Sequence, residues 1–119
     1  MAMDPTIIDP AALVRLEEWG GSKLSSEIIR LFLKHGPERM DQVRSALTGD
    51  DLNEAERGAH SLKSSAANVG AEEVRRIAND VEIASSEGEV QRVRDLVPKL
   101  EEAFTLALRE LEMNVKEVK

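Results

Sequence analysis

Two histidines, His35 and His60, are the side chains in this sequence best suited to chemistry near neutral pH, because imidazole changes charge in that range. Lys63 follows His60 by three residues, and side chains at that spacing share one face of a helix. A neutral imidazole nitrogen is a nucleophile that can form a covalent intermediate, and a mobile ammonium group beside it suits a transient anion on the ring. His35 directly precedes Gly36-Pro37, where we interpret it as a partly buried or end-of-turn histidine.

The surroundings of His60 favour access by a partner protein. Its neighbours along the chain are small, although serine lowers helix propensity and adds no packing; they are Ser61, Ser64, Ser65, Ala66 and Ala67. The apolar seam of the same segment recurs at helical spacing and points away from His60; its members are Leu52, Ala55, Ala59, Leu62, Ala66 and Val69. We therefore expect His60 to face solvent, with room for another protein to bring a reacting atom to the ring.

Other kinds of chemistry find little support. The chain has no cysteine, which excludes thiolate nucleophiles and cysteine zinc sites. A di-iron bundle needs Glu-x-x-His pairs, but Phe32 and Arg57 stand three residues before the two histidines, which leaves a metalloprotein or redox carrier as a weak alternative. No phosphate-binding glycine loop is present, so nothing indicates ATP binding.

Net charge and hydropathy limit what the protein is expected to bind and where it is expected to be located. The net charge of −7 disfavours nucleic-acid binding, which depends on a basic face to neutralise phosphates. No mainly apolar stretch approaches the roughly 20 residues of a membrane span, and residues 1–10 lack the features of a secretory signal. The sequence predicts a cytoplasmic protein that binds neither nucleic acid nor membrane.

The elements that must position His60 are helices, because apolar residues recur at helical spacing and no sustained period of two is present. A length of 119 residues allows one small domain with a single core. We predict an all-α, antiparallel up-and-down four-helix bundle with a short extra N-terminal helix. The predicted bounds within a single domain, 1–119, are a flexible segment at 1–8, a leading helix at 9–19, and bundle helices at 22–48, 50–69, 71–86 and 89–115.

Several residues are typical of helix ends. Asp9 followed by Pro10 predicts an N-cap and a first helical residue. Asp50 or Asp51 predicts the next N-cap, with Glu54 three residues after Asp51 in the position of a capping box, and Gly70 predicts a left-handed C-cap. Pro37 predicts a kink or a break in its helix, and Pro98 predicts a kink or a late helix start.

The run from His60 to Ala71, HSLKSSAANVGA, resembles the signature of histidine-containing phosphotransfer (HPt) domains, which are four-helix bundles. The stretch from Phe32 to Met40 and Glu82 are also similar to the family. The resemblance implies a phosphorelay intermediate in two-component signalling. His60 would accept a phosphoryl group on Nε2 from an aspartate of one receiver domain and pass it to an aspartate of another.

The resemblance also implies roles for the neighbours of His60. Lys63 would stabilise the charge of the phosphoryl group, and Ser64, which stands where many members have glycine, is a candidate contact of the phosphoryl group or the partner. The expected partner-binding residues are Arg57, Ser61, Ala67 and Gly70, although for Gly70 a purely structural C-cap is the simpler interpretation. Docking could extend to Leu31 and Leu33, for which burial in the core is an equal alternative.

The implied activity is that of a phosphocarrier with a covalent phosphohistidine, and not of an enzyme. Catalysis, with Mg²⁺, would come from the partner receiver domain, so we expect no cofactor and no metal site in this chain. The implied partners are response-regulator receiver domains and a hybrid sensor histidine kinase, and the chain is expected to be a monomer. An adaptor bundle that docks receivers without carrying phosphate stays open as an alternative, which only phosphorylation of His60 separates from a carrier.

Overall fold

Four helices make up most of the chain in a computed structural model, which describes residue 4 and residues 6–118, with side chains to residue 113. The helices are α1 (Pro10–Ala46), α2 (Leu52–Val69), α3 (Glu72–Ser86) and α4 (Val90–Val118). α2 packs against α1 and α3, and α4 packs against α3 and α1, so the helices surround one core. The predicted all-α, four-helix fold is confirmed. No helix in this described part of the chain is both long and apolar enough to cross a bilayer.

The N-terminal part of α1 differs from the prediction of a separate leading helix at 9–19. One helix extends from Pro10 to Ala46. Gly21 inside it has φ 75° and ψ −176°, which is not a helical conformation. Glycine adopts such a positive φ at little steric cost. The predicted break between the leading segment and α1 is therefore a kink at Gly21, and the helices of the described residues include no extra N-terminal helix.

Residues 6–8 pack on the bundle, although 1–8 are predicted to be flexible. Ile8 is fully buried, and the amides of Ile7 and Ile8 both donate to the Asp4 carbonyl at 3.0 Å. The Asp9 amide donates to the Gly70 carbonyl at 2.7 Å, which ties this segment to the end of α2. The burial of an isoleucine side chain favours the packed state. Residues 1–3 and 5 of the predicted flexible segment lie outside the described residues.

The helix caps largely follow the sequence. Asp9 accepts a hydrogen bond from the Ala11 amide at 3.0 Å, and Asp51 accepts one from the Glu54 amide at 3.2 Å. The Glu54 carboxylate does not complete the capping box, because it accepts from Gln42 at 3.0 Å and the Asp51 amide donates to a backbone carbonyl. α1 and α4 both continue through their internal prolines, so neither proline splits its helix or delays its start.

The face that α2 turns toward the core is made of small and medium apolar side chains. Ala55, Ala59, Leu62, Ala66 and Val69 are all fully buried. Gly58 also faces inward, and a Cβ there would lie 2.7 Å from Cγ2 of Val43 on α1. Because this face is pressed against its neighbours, the opposite face of α2 is left for solvent and partners.

Candidate functional site

His60 lies in the middle of α2 on the face opposite the core, and its side chain is 61% exposed. The predicted solvent-facing position of the ring is therefore confirmed. A helix interior holds the backbone rigidly, so only the side-chain torsions of His60 are left to be fixed by neighbours.

Glu82 on α3 supplies that constraint. Its Oε2 atom lies 2.8 Å from Nδ1 of His60, and its Oε1 atom lies 2.6 Å from Nζ of Lys63. The Glu82 side chain is only 20% exposed, and the Lys63 side chain is 29% exposed. One carboxylate thus contacts both the imidazole and the ammonium group that the sequence places on one helix face.

The protonation of this cluster follows from the surroundings of Glu82. Burial raises the pKa of the Glu82 carboxyl, but the contacts with Lys63 and then with His60 lower it by more, so the pKa lies below its ordinary value. Glu82 is therefore an anion at neutral pH, and an ionised carboxylate can only accept hydrogen bonds. Nδ1 of His60 must then carry the hydrogen, so in the neutral ring the lone pair lies on Nε2, which is the nucleophilic atom.

A groove of about 680 Å³ opens beside His60. Its polar lining comes from α1, α2 and α3 and consists of Arg39, Gln42, Asn53, Glu56, Arg57, His60, Ser61 and Glu82. Of the predicted partner-binding residues, Arg57 and Ser61 line this groove. Arg57 is largely exposed and forms an ion pair with Glu54 at 2.6 Å.

A second, smaller cavity of about 180 Å³ lies further along α2 toward its C-terminus. It is lined by Ile28, Leu31, Phe32, His35, Ser65 and Asn68. The predicted contacts Ser64 and Ala67 lie further along α2 than His60, and Ser64 is exposed whereas Ala67 is half-buried. This cavity lies between α1 and α2, and its lining is half apolar and half polar.

The two candidate docking residues on α1, Leu31 and Leu33, differ in their exposure to solvent. The Leu31 residue is 47% exposed, whereas Leu33 packs against the core. His35, predicted to be partly buried or at a turn, lies within α1 with its side chain 47% exposed and its Nδ1 atom 3.4 Å from Glu38. Only Leu31 of the two leucines has the exposure that a contact with a partner needs.

Gly70, a predicted partner contact, is buried in the structure. It is the C-cap of α2, with φ 78° and ψ 18°, which confirms the left-handed cap. A Cβ at this position would lie 2.5 Å from the Asp9 carbonyl oxygen and 2.9 Å from the Ala12 side chain. The N-terminal segment therefore covers Gly70, and the geometry fits the structural C-cap.

The contact of Glu82 with His60 is not evident from the sequence, which therefore does not show which group orients the ring. The available signal was topological: His60 precedes the turn at Gly70 by ten residues, and Glu82 follows it by twelve. Two helices that run antiparallel from a tight turn bring such positions side by side. Among the described side chains, residue 4 and residues 6–113, no group of three or more His, Asp or Glu residues is placed to hold a metal ion.

Comparison with known proteins identifies the family. The Hpt domain model matches residues 27–116, which is most of the chain. The chain therefore belongs to the Hpt domain family, the histidine phosphotransfer proteins of two-component phosphorelays. Members of this family are phosphocarriers and not catalytic enzymes, and they interact with the receiver domains of two-component systems.

Two solved structures have the same fold. Histidine-containing phosphotransfer protein B (HptB) from Pseudomonas aeruginosa PAO1 superposes with a TM-score of 0.87 at 22% identity, covering 93% of this chain and 96% of that one. The HPT domain of an Hpt sensor hybrid histidine kinase from Shewanella superposes with a TM-score of 0.85 at 16% identity, covering 96% and 97%. At these identities the likeness shows the fold alone. A comparison with curated protein sequences gave no significant match.

Proposed function

We propose that His60 is the phosphoryl-carrying residue of this Hpt domain. The observation that carries the proposal is the hydrogen bond from Nδ1 to Glu82 on a ring that is 61% exposed. This contact holds the hydrogen on Nδ1 and leaves Nε2 as the nucleophile. His35, the other histidine, contacts a carboxylate only at 3.4 Å and has no lysine three residues after it.

The transfer step itself requires little of this chain. The Nε2 lone pair of His60 attacks the phosphorus of an aspartyl phosphate on a receiver domain. The phosphorus–oxygen bond breaks, and its electron pair returns to the aspartate as carboxylate. The reverse sequence on a second receiver completes the relay. Barrier lowering in phosphoryl transfer comes from metal ions and positioned charges, and we place the Mg²⁺ and the aspartate in the receiver partner.

Lys63 is the residue of this chain that we propose to stabilise the bound phosphoryl group. A phosphorylated side chain carries a charge of about −1.5 to −2 near neutral pH. The Lys63 ammonium, one helical turn from His60, has three donors on a flexible stem that can reach this charge. Ser64 is exposed on the same surface and remains a candidate contact of the phosphoryl group or the partner.

The partners we propose are a response-regulator receiver and the receiver of a hybrid sensor histidine kinase. They would dock on the outer face of α2 around His60, with Arg57, Ser61 and Ala67 in contact. Leu31 on α1 would then lie at the apolar edge of the interface. The monomeric state, the cytoplasmic location and the absence of a cofactor in this chain stay predictions.

The test is transfer from a receiver domain that has been phosphorylated in the presence of Mg²⁺. Intact mass measured at neutral to alkaline pH should show one added phosphoryl group that acid treatment removes. His60→Gln should abolish the addition, whereas the matched control His35→Gln should retain it. Lys63→Ala should slow the transfer or shorten the lifetime of the product without abolishing it.

The same experiment distinguishes the docking-only adaptor. Receivers that bind the wild-type chain with ordinary affinity and leave its mass unchanged would refute the carrier and support the adaptor. Addition that persists in His60→Gln would refute His60 as the carrying residue. Phosphoramidate, a small-molecule phosphoryl donor, provides a check that needs no cognate receiver.

A further inference from the structure

One oxygen of Glu82 depends on Lys63 for its charge compensation. Oε1 is shielded from solvent and accepts no aligned hydrogen bond from the described residues. The Lys63 ammonium, 2.6 Å away, is the cation paired with it. A buried anionic oxygen without a partner is costly, so the unmodified protein holds Lys63 on Glu82.

Lys63 cannot fully satisfy two anions at once. A phosphoryl group on Nε2 of His60 brings about −1.5 to −2 charges and three acceptor oxygens within one helical turn of Lys63, against the single charge of Glu82. Lys63 is 29% exposed and has a flexible stem, so its ammonium group is able to turn outward. Phosphorylation therefore sets two anions in competition for one cation.

Phosphorylation also changes the charge of the His60 ring, and this change ends the competition of the two anions for Lys63. Nε2 donates its lone pair to phosphorus while Nδ1 keeps its hydrogen, so the phosphorylated ring is positively charged. Oε2 of Glu82 already lies 2.8 Å from Nδ1 and would accept a charge-assisted hydrogen bond from it. Each anion then has its own cation: Glu82 pairs with the ring, and the phosphoryl group pairs with Lys63.

We propose that Lys63 exchanges partners during the phosphorylation cycle, leaving Glu82 for the phosphoryl group when His60 is phosphorylated and returning when the group is passed on. The inference rests on His60 being the carrying residue. It makes Glu82 a positioning residue with two duties. Glu82 orients the ring in both states, and it holds Lys63 in an inward position while His60 is unphosphorylated.

The experiment uses phosphoramidate as the phosphoryl donor and NMR of the Lys63 side chain as the readout. The donor's phosphorus–nitrogen bond breaks as Nε2 attacks, and the electron pair leaves with ammonia, so the products are phosphohistidine and ammonia. Spectra of ¹³C,¹⁵N-lysine-labelled protein are recorded before and after phosphorylation at mildly alkaline pH, where phosphohistidine persists. The Lys63 signals are assigned by their loss in Lys63→Gln.

Glu82→Gln is the informative variant, and Glu56→Gln is its matched control. Glu56 also lines the groove beside His60 and is half-buried, but no contact joins it to Lys63. In the unmodified protein, Glu82→Gln should move the Lys63 signals and Glu56→Gln should leave them nearly in place. In the phosphorylated protein, Glu82→Gln should move the Lys63 signals much less than it does in the unmodified protein, because Lys63 no longer contacts residue 82 directly.

Two outcomes would overturn the exchange. If Glu82→Gln moves the Lys63 signals equally in both states, Lys63 stays on Glu82 after phosphorylation. If phosphorylation leaves the Lys63 signals of the wild-type protein unchanged, Lys63 does not meet the phosphoryl group. A failure of the proposed function looks different, because then no phosphoryl mass is added, or it is added equally to His60→Gln.

Discussion

Glu82 Oε2 on α3 lies 2.8 Å from Nδ1 of His60 on α2, so a residue of α3 fixes the imidazole ring on α2. An exposed side chain normally samples several rotamers, and holding it in one geometry costs conformational entropy. The contact with a largely buried carboxylate supplies that order before a partner arrives. The nucleophilic nitrogen is thereby presented in a defined direction although most of the ring is in solvent.

The stability of the protein should depend on the ionisation of Glu82. Burial raises the pKa of this carboxyl, and Lys63 and His60 lower it by more, to below the ordinary value of 4.5. A pKa lowered in the folded state contributes stability that is complete above the unfolded value and is lost as pH falls through the folded one. We expect the free energy of unfolding of the wild type, relative to Glu82→Gln, to decline as the pH falls below 4.5.

Urea unfolding across that pH range measures this difference. Lys63→Gln should show a smaller decline than the wild type, because one of the two contacts that lower the pKa is missing. A wild-type advantage that grew on acidification would contradict the assignment.

The helices and their inward faces could be predicted because apolar spacing is a local property of the chain. On α2 apolar residues recur every three or four positions, so only one face of the helix can point toward the core. The apolar seam predicted in this way is buried from Ala55 to Val69. The same reasoning places His60 outside. The caps at Asp9, Asp51 and Gly70 could also be predicted, since each rests on a side chain or a glycine at a single position.

Contacts between helices could not be predicted in the same way. Glu82 is a polar residue on α3, and its meeting with His60 depends on how two helices return from the turn at Gly70. The exposure of Leu31 against the half-burial of Leu33 depends on the rotation of α1 within the bundle. The sequence also allows Gly70 to lie on the partner surface, because nothing local shows that residues 9 and 12 cover it.

Gly70→Ala tests whether the N-terminal segment is packed against the end of α2. Positive φ alone should cost about 1 kcal/mol for alanine, and the approach to Asp9 and Ala12 should raise the loss to about 2 kcal/mol or more. Gly88→Ala is the matched control, because Gly88 has φ 74° but a Cβ there meets nothing within 4 Å. Chemical denaturation of both variants compares them, and equal losses would show that the segment does not press on Gly70.

Gly58→Ala tests the close approach of α1 and α2 behind the functional face. Alanine gains about 1 kcal/mol of helix propensity over glycine. Its Cβ, however, would lie 2.7 Å from Val43 Cγ2 and 3.2 Å from the Arg39 carbonyl oxygen, and overpacking of this kind costs about 1–3 kcal/mol. We expect a net loss of about 1 kcal/mol in the free energy of unfolding. Gly49→Ala, whose Cβ meets nothing within 4 Å, should stay within about 0.5 kcal/mol of the wild type; a stabilised Gly58→Ala would contradict the tight packing.

Leu31→Ala tests the extent of the docking surface. Leu31 is 47% exposed at the cavity beside Ser65 and Asn68, whereas Leu106, 40% exposed, lies on α4 in the groove between α3 and α4. The two truncations remove the same atoms at similar exposure, so their effects on stability should match. A receiver that phosphorylates the wild-type chain should bind Leu31→Ala about tenfold more weakly, as expected for the loss of an apolar anchor worth about 1.4 kcal/mol. Leu106→Ala should bind that receiver like the wild type. Titration calorimetry measures both affinities, and equal affinities for the two variants would confine docking to the immediate surroundings of His60.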